Sequence, residues 1–459
     1  MAEALKQQSE DQIQELDSQC IQSVQDALEA EDRERLHALL EPLHAADVAD
    51  LLEQVGSAER EELVRLWGHS IDGETLSELD EAIREPLIEA LPEQVLAEAV
   101  RELDSDDVVD LVEDLGDEQQ SRILEALEDD DRVDVEAALN YPEFSAGRLM
   151  QRERVTIAAD ATVGEAIDWV RQHDDLPLQF YHVILLDPAH KPTGYVALGR
   201  LLSSPRDQHL NEITEDSFRT LKVTDDEEDV AYLFNHYHLI SAPVVDEQER
   251  LVGVITIDDA MAVLDEEHEE DMLRMAGINE ASSLTDSVAK TTKGRAIWLG
   301  VNLVTAILAS FVIGLYADSI EQLVALAILM PIVASMGGNA GTQTMTVAVR
   351  AIATRELTPS NALRVSGREI TVGALNGLLF GLLMAIVAGF WFGQPMLSVV
   401  IALAMLFTLV AAAVGGIVIP ILLSKMGIDP ALASGPFVTT VTDVVGFLAF
   451  LGLASMILL

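Results

Sequence analysis

The feature that most constrains this chain is the spacing of its charges beyond residue 295. Ala296 to Tyr316 are 21 residues without a charge, Leu323 to Val349 another 27, and 55 more lie between Glu369 and Lys425. A helix needs about 20 apolar residues to cross a bilayer. The first two runs are therefore one span each, and the third is two, divided at Gly393, Gln394 and Pro395. A last run to Leu459 makes five, at about 296–316, 323–349, 370–392, 396–423 and 436–459. An all-α membrane domain over 296–459, with the lipid bilayer as partner, is the expectation.

The rest of the chain is of the opposite kind. Of 78 acids and 28 Lys plus Arg, six of each lie from Gly294 onward, which leaves residues 1–293 with 72 acids against 22 bases. Such a half repels phosphates and lacks the basic surface that releases counterions, so nucleic acid is excluded as a partner. Cations are its natural partners, and solubility in a salt-rich cytoplasm is a second use of the same charge. Lys290, Lys293 and Arg295 precede the first span, Arg350, Arg355, Arg364 and Arg368 separate the second and third, and Lys425 separates the fourth and fifth. The alternate connections carry no base. By the positive-inside rule the acidic half lies in the cytosol, beneath the cell membrane, and the C-terminus outside. The single cysteine, Cys20, excludes a disulfide framework or thiolate zinc site. The polar N-terminus, MAEALKQQSEDQIQEL, shows no signal peptide.

Asp443 stands in 29 residues, Ala431 to Leu459, that hold no other charge. On a helix it shares a face with Thr439, Thr440 and Gly446. Against lipid it would cost roughly 2.5 to 3.5 kcal/mol, so it faces protein or water, either as a protonated packing residue or as an ion site. In the second span, "PIVASMGGNAGTQT" (331–344), Ser335, Asn339, Gln343 and Thr346 form a polar stripe beside Gly337, Gly338 and Gly341. A small-residue packing seam is one reading. The other, favoured by Gly-Gly-Asn in mid-membrane, is a broken helix whose carbonyls line a cavity. No span contains His, and carboxylate, amide and carbonyl oxygens suit a small hard cation better than zinc or copper. Two Asp443 side chains across a dimer axis could hold a hydrated Mg2+. Five spans hardly enclose a path alone, so a symmetric homodimer is expected.

From Ser9 to about Leu139 apolar residues have helical spacing, and "LHAADVADLLEQV" (43–55) repeats as "LDSDDVVDLVEDL" (103–115), with 79–91 a degenerate unit between them. A short helical solenoid over 1–140 follows. Residues 141–264 duplicate a βαββα unit, 141–210 and 211–264. "HVILLDPAHKPTGYVALGRLL" (182–202) aligns with "APVVDEQERLVGVITIDDAMA" (242–262), with Asp187 and Gly194 matching Asp246 and Gly253. An acidic run follows, with Asp258, Asp259, Asp265, Glu266, Glu267, Glu269, Glu270 and Asp271, and leads through a connecting helix at 265–295 into the first span.

The duplicated unit resembles the tandem cystathionine-beta-synthase (CBS) domain. Helical repeat, CBS pair, connecting helix and five spans with "GGNAGTQ" and "TDVVG" together resemble the MgtE family of magnesium channels. That resemblance implies a homodimeric Mg2+ channel lined by the second and fifth spans, with Asp443 binding the ion and Gly338, Asn339, Gly341 and Gln343 in the matching second-span segment beside Thr439 and Thr440. It also implies closure when cytosolic Mg2+ bridges acids of the helical domain, the CBS pair and the plug helix, here Asp258, Asp259, Glu266, Glu267, Glu269 and Glu270. CBS pairs bind adenine nucleotides such as ATP through a Thr and an Asp three residues on. Thr256 and Asp259 fit that spacing, whereas Ala197 and Arg200 of the first copy do not.

No phosphate loop of the GxxxxGK[ST] type and no nucleophile-base arrangement occurs, so neither a pump nor an enzyme is expected. Two rivals remain: a wider Co2+ or Mn2+ channel or coupled carrier, and a CBS-bearing membrane sensor that transports nothing.

Overall fold

Helical spacing before residue 140 becomes ten short helices among the described residues, which are 16, 18–113, 115–173, 176–177, 180–278 and 288–459 of this computed structural model. They are α1 (Ser18–Glu29), α2 (Arg33–Leu40), α3 (Ala45–Gln54), α4 (Ser57–Trp67), α5 (Gly73–Ser77), α6 (Glu81–Ala90), α7 (Glu93–Arg101), α8 (Ser105–Glu113), α9 (Asp117–Ala126) and α10 (Asp129–Ala138). The repeat is α3, α6 and α8. Val48, Leu51, Leu52 and Val55 around α3 are buried, and so are Val108, Leu111, Val112 and Leu115, sixty residues on. Equivalent faces therefore pack into one continuous core. The middle unit departs by placing Arg84 where the others have Val. A buried guanidinium needs partners. Nε of Arg84 donates to Leu79 O at 3.1 Å and Nη1 to Asp110 Oδ2 at 2.9 Å, tying the second unit to the third.

After α11 (Ala146–Leu149) come two copies of one unit: β1 (Thr156–Ala158), α12 (Val163–Gln172), β2 (His182–Leu186), β3 (Pro192–Ala197) and α13 (Leu198–Ser203), then β4 (Leu221–Lys222), α14 (Glu227–Tyr237), β5 (Ser241–Val245), β6 (Leu251–Thr256) and α15 (Ile257–Met275). In each three-stranded sheet the first strand is parallel to the second and the second antiparallel to the third. The hairpins match in detail. Asp187 Oδ1 accepts from the N–H groups of Ala189 and Lys191, and Asp246 Oδ1 from those of Gln248 and Arg250. His190 (φ 60°) and Glu249 (φ 63°) turn the two chains alike. His182 Nδ1 lies 2.7 Å from Ser241 Oγ, its own equivalent 59 residues on, so the copies meet about a pseudo-two-fold axis.

The chain divides into two compact units, Met1–Asp265 and Glu266–Leu459. The connecting helix does not run from 265 to 295 as one element. α15 starts within the second copy and stops at Met275, because Gly277 takes the left-handed conformation (φ 76°) and Ile278 N closes back on Leu273 O at 3.0 Å, a helix-terminating turn. Residues 279–287 of the expected connector lie outside the described residues.

Among the described residues the second unit holds five helices long and apolar enough to cross a membrane: α16 (Val288–Gly314), α18 (Ala325–Ala353), α19 (Ala362–Phe392), α20 (Pro395–Lys425) and α21 (Pro430–Ile457), with the short α17 (Ala317–Gln322) after the first. The 31 residues of α19 or α20 span about 46 Å at 1.5 Å per residue, beyond a hydrocarbon core of about 30 Å. Helix therefore extends past the uncharged runs and carries Lys290, Arg295, Arg364 and Arg368 at its ends. α20 is the axis of the bundle, with Val400, Ile401, Ala404, Met405, Thr408 and Ala412 all buried against α18, α19 and α21. Gly373, Gly377 and Gly381 of α19 recur every fourth residue. A Cβ at these positions would lie 2.8 Å from Leu409 O, 2.9 Å from Leu406 Cα and 2.7 Å from Ala402 O. This seam, legible as G-x-x-x-G-x-x-x-G, lets two backbones touch. Gly377→Ala is expected to destabilise the bundle by about 1–3 kcal/mol, read as an earlier thermal unfolding of detergent-solubilised protein; an unchanged melt would show that the seam is loose.

Candidate functional site

Two places gather the residues singled out from the sequence. The first is in the membrane unit. α18 is continuous through Gly337, Gly338 and Gly341, so the expected broken helix does not form. Those glycines act by size instead. A Cβ at Gly337 would lie 2.6 Å from Thr408 Cγ2, and one at Gly341 2.7 Å from Val438 Cγ1 and 3.0 Å from Thr442 Cγ2. The seam that these two make with α20 and α21 keeps the backbone hydrogen-bonded and frees no carbonyl. Gly341 accordingly faces inward, on a different side from Asn339 and Gln343, while Gly338 has open space at its Cβ position.

The polar stripe of α18 turns the other way. Ser335, Asn339, Gln343 and Thr346 are all exposed, and Asn339 Nδ2 donates to Ser335 Oγ at 3.4 Å. On α21, which packs on α18, Thr439 is exposed and Asp443 half-buried. Thr440 turns its hydroxyl back to Pro436 O at 2.6 Å. Gly446 leaves the shared face and is buried, its Cβ position 3.3 Å from Thr408 Cγ2 and 3.5 Å from Val333 Cγ1. Three residues' advance from Asp443 rotates it toward the bundle core.

The second place is in the first unit, where the N-terminus of α8 meets the start of α15. Asp106 is 8% exposed. Its carboxyl is pushed well above the usual range by burial and then by Asp259, Asp107 and Asp104. Asp107 is pushed up to about 7 by burial, with Asp259 and Asp104 adding to it. Asp259 is raised to about 6, again chiefly by burial, with Asp258 and Asp104 nearby. Thr256 caps α15, its hydroxyl donating to Asp259 Oδ2 at 2.7 Å and also to Asp258, while its N–H donates to Asp259 Oδ2 at 3.2 Å. Acids belong at helix N-termini, where the dipole favours them; two such ends brought together do not. Asp104, Asp106 and Asp107 were not picked out from the sequence as site residues, although all three stand in the repeat "LDSDDVVD".

The acids further along α15 belong to the second unit. Glu266 and Glu269 are exposed, Glu267 is half-buried, and Glu270 forms an ion pair with Arg274. Arg274 Nη1 also donates to Asp429 Oδ2 at 2.9 Å, and Asp429 in turn caps α21 by accepting from Ala431 N at 2.7 Å. Met275 packs on Met345, Val349, Ala431 and Val438, at one end of α18 and α21. Burial and the nearby Asp429 push the Asp271 carboxyl up. Among the described residues no three His, Cys, Asp or Glu side chains are grouped to hold a metal ion.

Comparison with known proteins agrees with this architecture. Residues 330–453 match the family model described as a divalent cation transporter, 43–144 the MgtE intracellular N domain, and 210–266 the CBS domain. The magnesium transporter MgtE of Enterococcus faecalis is 32% identical over 70% of this chain and 71% of its own length. The chain belongs to the MgtE family. MgtE of Thermus thermophilus is 31% identical over 71% of this chain and 72% of its length. A crystal structure of the cytosolic domain of an Mg2+ channel MgtE in complex with ATP aligns with 53% of this chain and 99% of that one, at 29% identity and a TM-score of 0.49.

Proposed function

We propose that this MgtE-family chain carries Mg2+ across the cell membrane as a homodimeric channel, with both soluble regions in the cytosol and the C-terminus outside. The observation that carries the proposal is the outward polar face of α18, with Asp443 and Thr439 on α21 beside it. Amide, hydroxyl and carboxylate groups facing hydrocarbon would lack partners. A second copy facing this surface would give them one another and water. A hydrated Mg2+ needs few direct ligands, and one carboxylate per subunit with a ring of amides and hydroxyls supplies that. Like its relatives, the chain is then a transport protein and not an enzyme.

Regulation uses the acidic contact. α8 and α15 bring carboxylates together that repel across an interface, and Mg2+ held through its water between pairs of them favours the contact. In the second unit, Glu266, Glu267 and Glu269 are further acids open to a cation, and Arg274 ties the end of α15 to Asp429 at the N-terminus of α21. The mutual bonding of Thr256 and Asp259, and the acids of α8 before them, favour this cation role over a nucleotide site; ATP at the CBS pair is the finer alternative.

Reconstituted protein is expected to admit Mg2+ into liposomes holding a magnesium-sensitive dye, with no coupling gradient, and to close as Mg2+ on the cytosolic side rises. A requirement for a proton or sodium gradient would make it a carrier, and equal entry of Co2+ and Mn2+ would make it a wider channel. No flux at all would leave the sensor reading.

A further inference from the structure

α19 buries one side, the glycine seam against α20, and leaves the opposite side bare. At about 100° per residue, Arg364 and Arg368 lie about 180° and 220° around the helix from Gly373. Both are exposed, and among the described residues neither side chain makes a hydrogen bond or an ion pair. The two acids of this end do not neutralise them. Glu369 is turned about 100° from Arg368, toward the seam, and Glu356 precedes the helix. Gly367 stands between the arginines with nothing within 4 Å of its Cβ position, which leaves a notch one side chain wide.

The same side continues as an apolar stripe. Leu375, Leu379, Leu382 and Ile386 are each more than half exposed, and Phe390 and Trp391, 90% and 60% exposed, close it. From Arg368 to Trp391 the helix rises about 34 Å at 1.5 Å per residue, against a hydrocarbon core of about 30 Å. Bases at one border and aromatic rings at the other mark a helix side turned to lipid. A second copy is a poor occupant here. Related by an axis along the membrane normal, it would set four guanidinium groups opposite one another, and like charges repel.

We propose that Arg364 and Arg368 hold the phosphate of an anionic phospholipid, whose acyl chain runs along Leu375, Leu379, Leu382 and Ile386. Four residues apart, and so about 6 Å along the axis, the two guanidinium groups reach one phosphate from either side of the Gly367 notch. Each matches phosphoryl oxygens in geometry as well as charge. A zwitterionic headgroup offers the same phosphate with a cation attached, which the arginines repel; an anionic headgroup carries no such penalty. The site rests on the membrane-spanning helices and stands independently of the transport reading.

Native mass spectrometry of the full chain released from detergent, titrated in turn with phosphatidylglycerol, phosphatidylcholine and inorganic phosphate, tests this. Phosphatidylglycerol is expected to bind at least fivefold more tightly than phosphatidylcholine. Arg364→Gln with Arg368→Gln is expected to weaken phosphatidylglycerol at least tenfold and to leave phosphatidylcholine unchanged. Lys425→Gln, which removes the base at the end of α20, should leave both unchanged. In thermal unfolding, the rise given by phosphatidylglycerol should shrink with added salt. Should the double variant fail to fold, Arg364→Gln and Arg368→Gln singly are each expected to weaken binding at least threefold. Equal binding of the two lipids, a loss on Lys425→Gln as large as on the arginines, or displacement of phosphatidylglycerol by millimolar phosphate overturns the proposal. So does a double variant that changes the oligomeric state and not lipid binding, which would assign this side of α19 to a second copy.

Discussion

Asp443→Asn is expected to reduce Mg2+ flux into proteoliposomes at least a hundredfold while leaving expression, assembly and melting temperature close to wild type. The substitution keeps the shape and removes the charge. Two opposite charges 4 Å apart attract by about 4 kcal/mol at an effective dielectric of 20, and a divalent ion doubles that. Much of it is lost to desolvation, yet a residue of 2.7 kcal/mol or more corresponds to a hundredfold. Neutralising Asp443 should also relieve α21 of an intramembrane charge, so stability holds or rises. That split separates an ion site from a packing residue. A structural Asp443 would give unchanged flux with altered melting, and that outcome would remove it from the pathway. Thr440→Val is the control on the same helix. Its hydroxyl donates back to Pro436 O of its own helix, and it carries no charge to lose, so a small effect is expected.

How much of this was legible in the sequence depends on what each residue answers to. The five spans and the paired βαββα units follow from charge spacing and internal repetition, which act locally. The solenoid was legible for a similar reason: Val48 and Val108 sit in equivalent layers because their segments repeat. The glycines of α18 were misread because Gly-Gly-Asn has weak helix propensity, whereas the deciding term was close approach by Thr408, Val438 and Thr442, about 70 to 105 residues away in sequence. Gly446 was misplaced by the same ambiguity, since three residues' advance turns a side chain about 60° and only packing says which side is inner. Arg274 with Asp429 is a pair 155 residues apart, and no local pattern announces it. The acids of α8 were visible as composition, but their meeting with α15 was not.

That meeting sets a pH dependence with a definite sign. Asp106, Asp107 and Asp259 all have carboxyls raised in the folded contact, so the contact holds protons more tightly than the separated surfaces do. By linkage it is favoured at low pH and loses that stabilisation as pH rises through about 6 to 7. Above pH 8, keeping Asp107 ionised there costs on the order of 4 kcal/mol relative to water. Under the proposed regulation, Mg2+ would take the place of the missing protons. Spin labels on α6 and α14 should therefore report a short distance at pH 5.5 in EDTA and a longer one at pH 8, with Mg2+ restoring the short distance at pH 8 and changing little at pH 5.5. Asp107→Asn with Asp259→Asn removes two of the repelling charges, and is expected to hold the short distance at pH 8 without Mg2+ and, if the proposed gating is right, to lower the dependence of Mg2+ flux on added Mg2+ at least tenfold. A distance indifferent to pH in EDTA, or a double variant whose short distance at pH 8 still needs Mg2+, would show that these acids tolerate one another and would remove them from the proposed regulation.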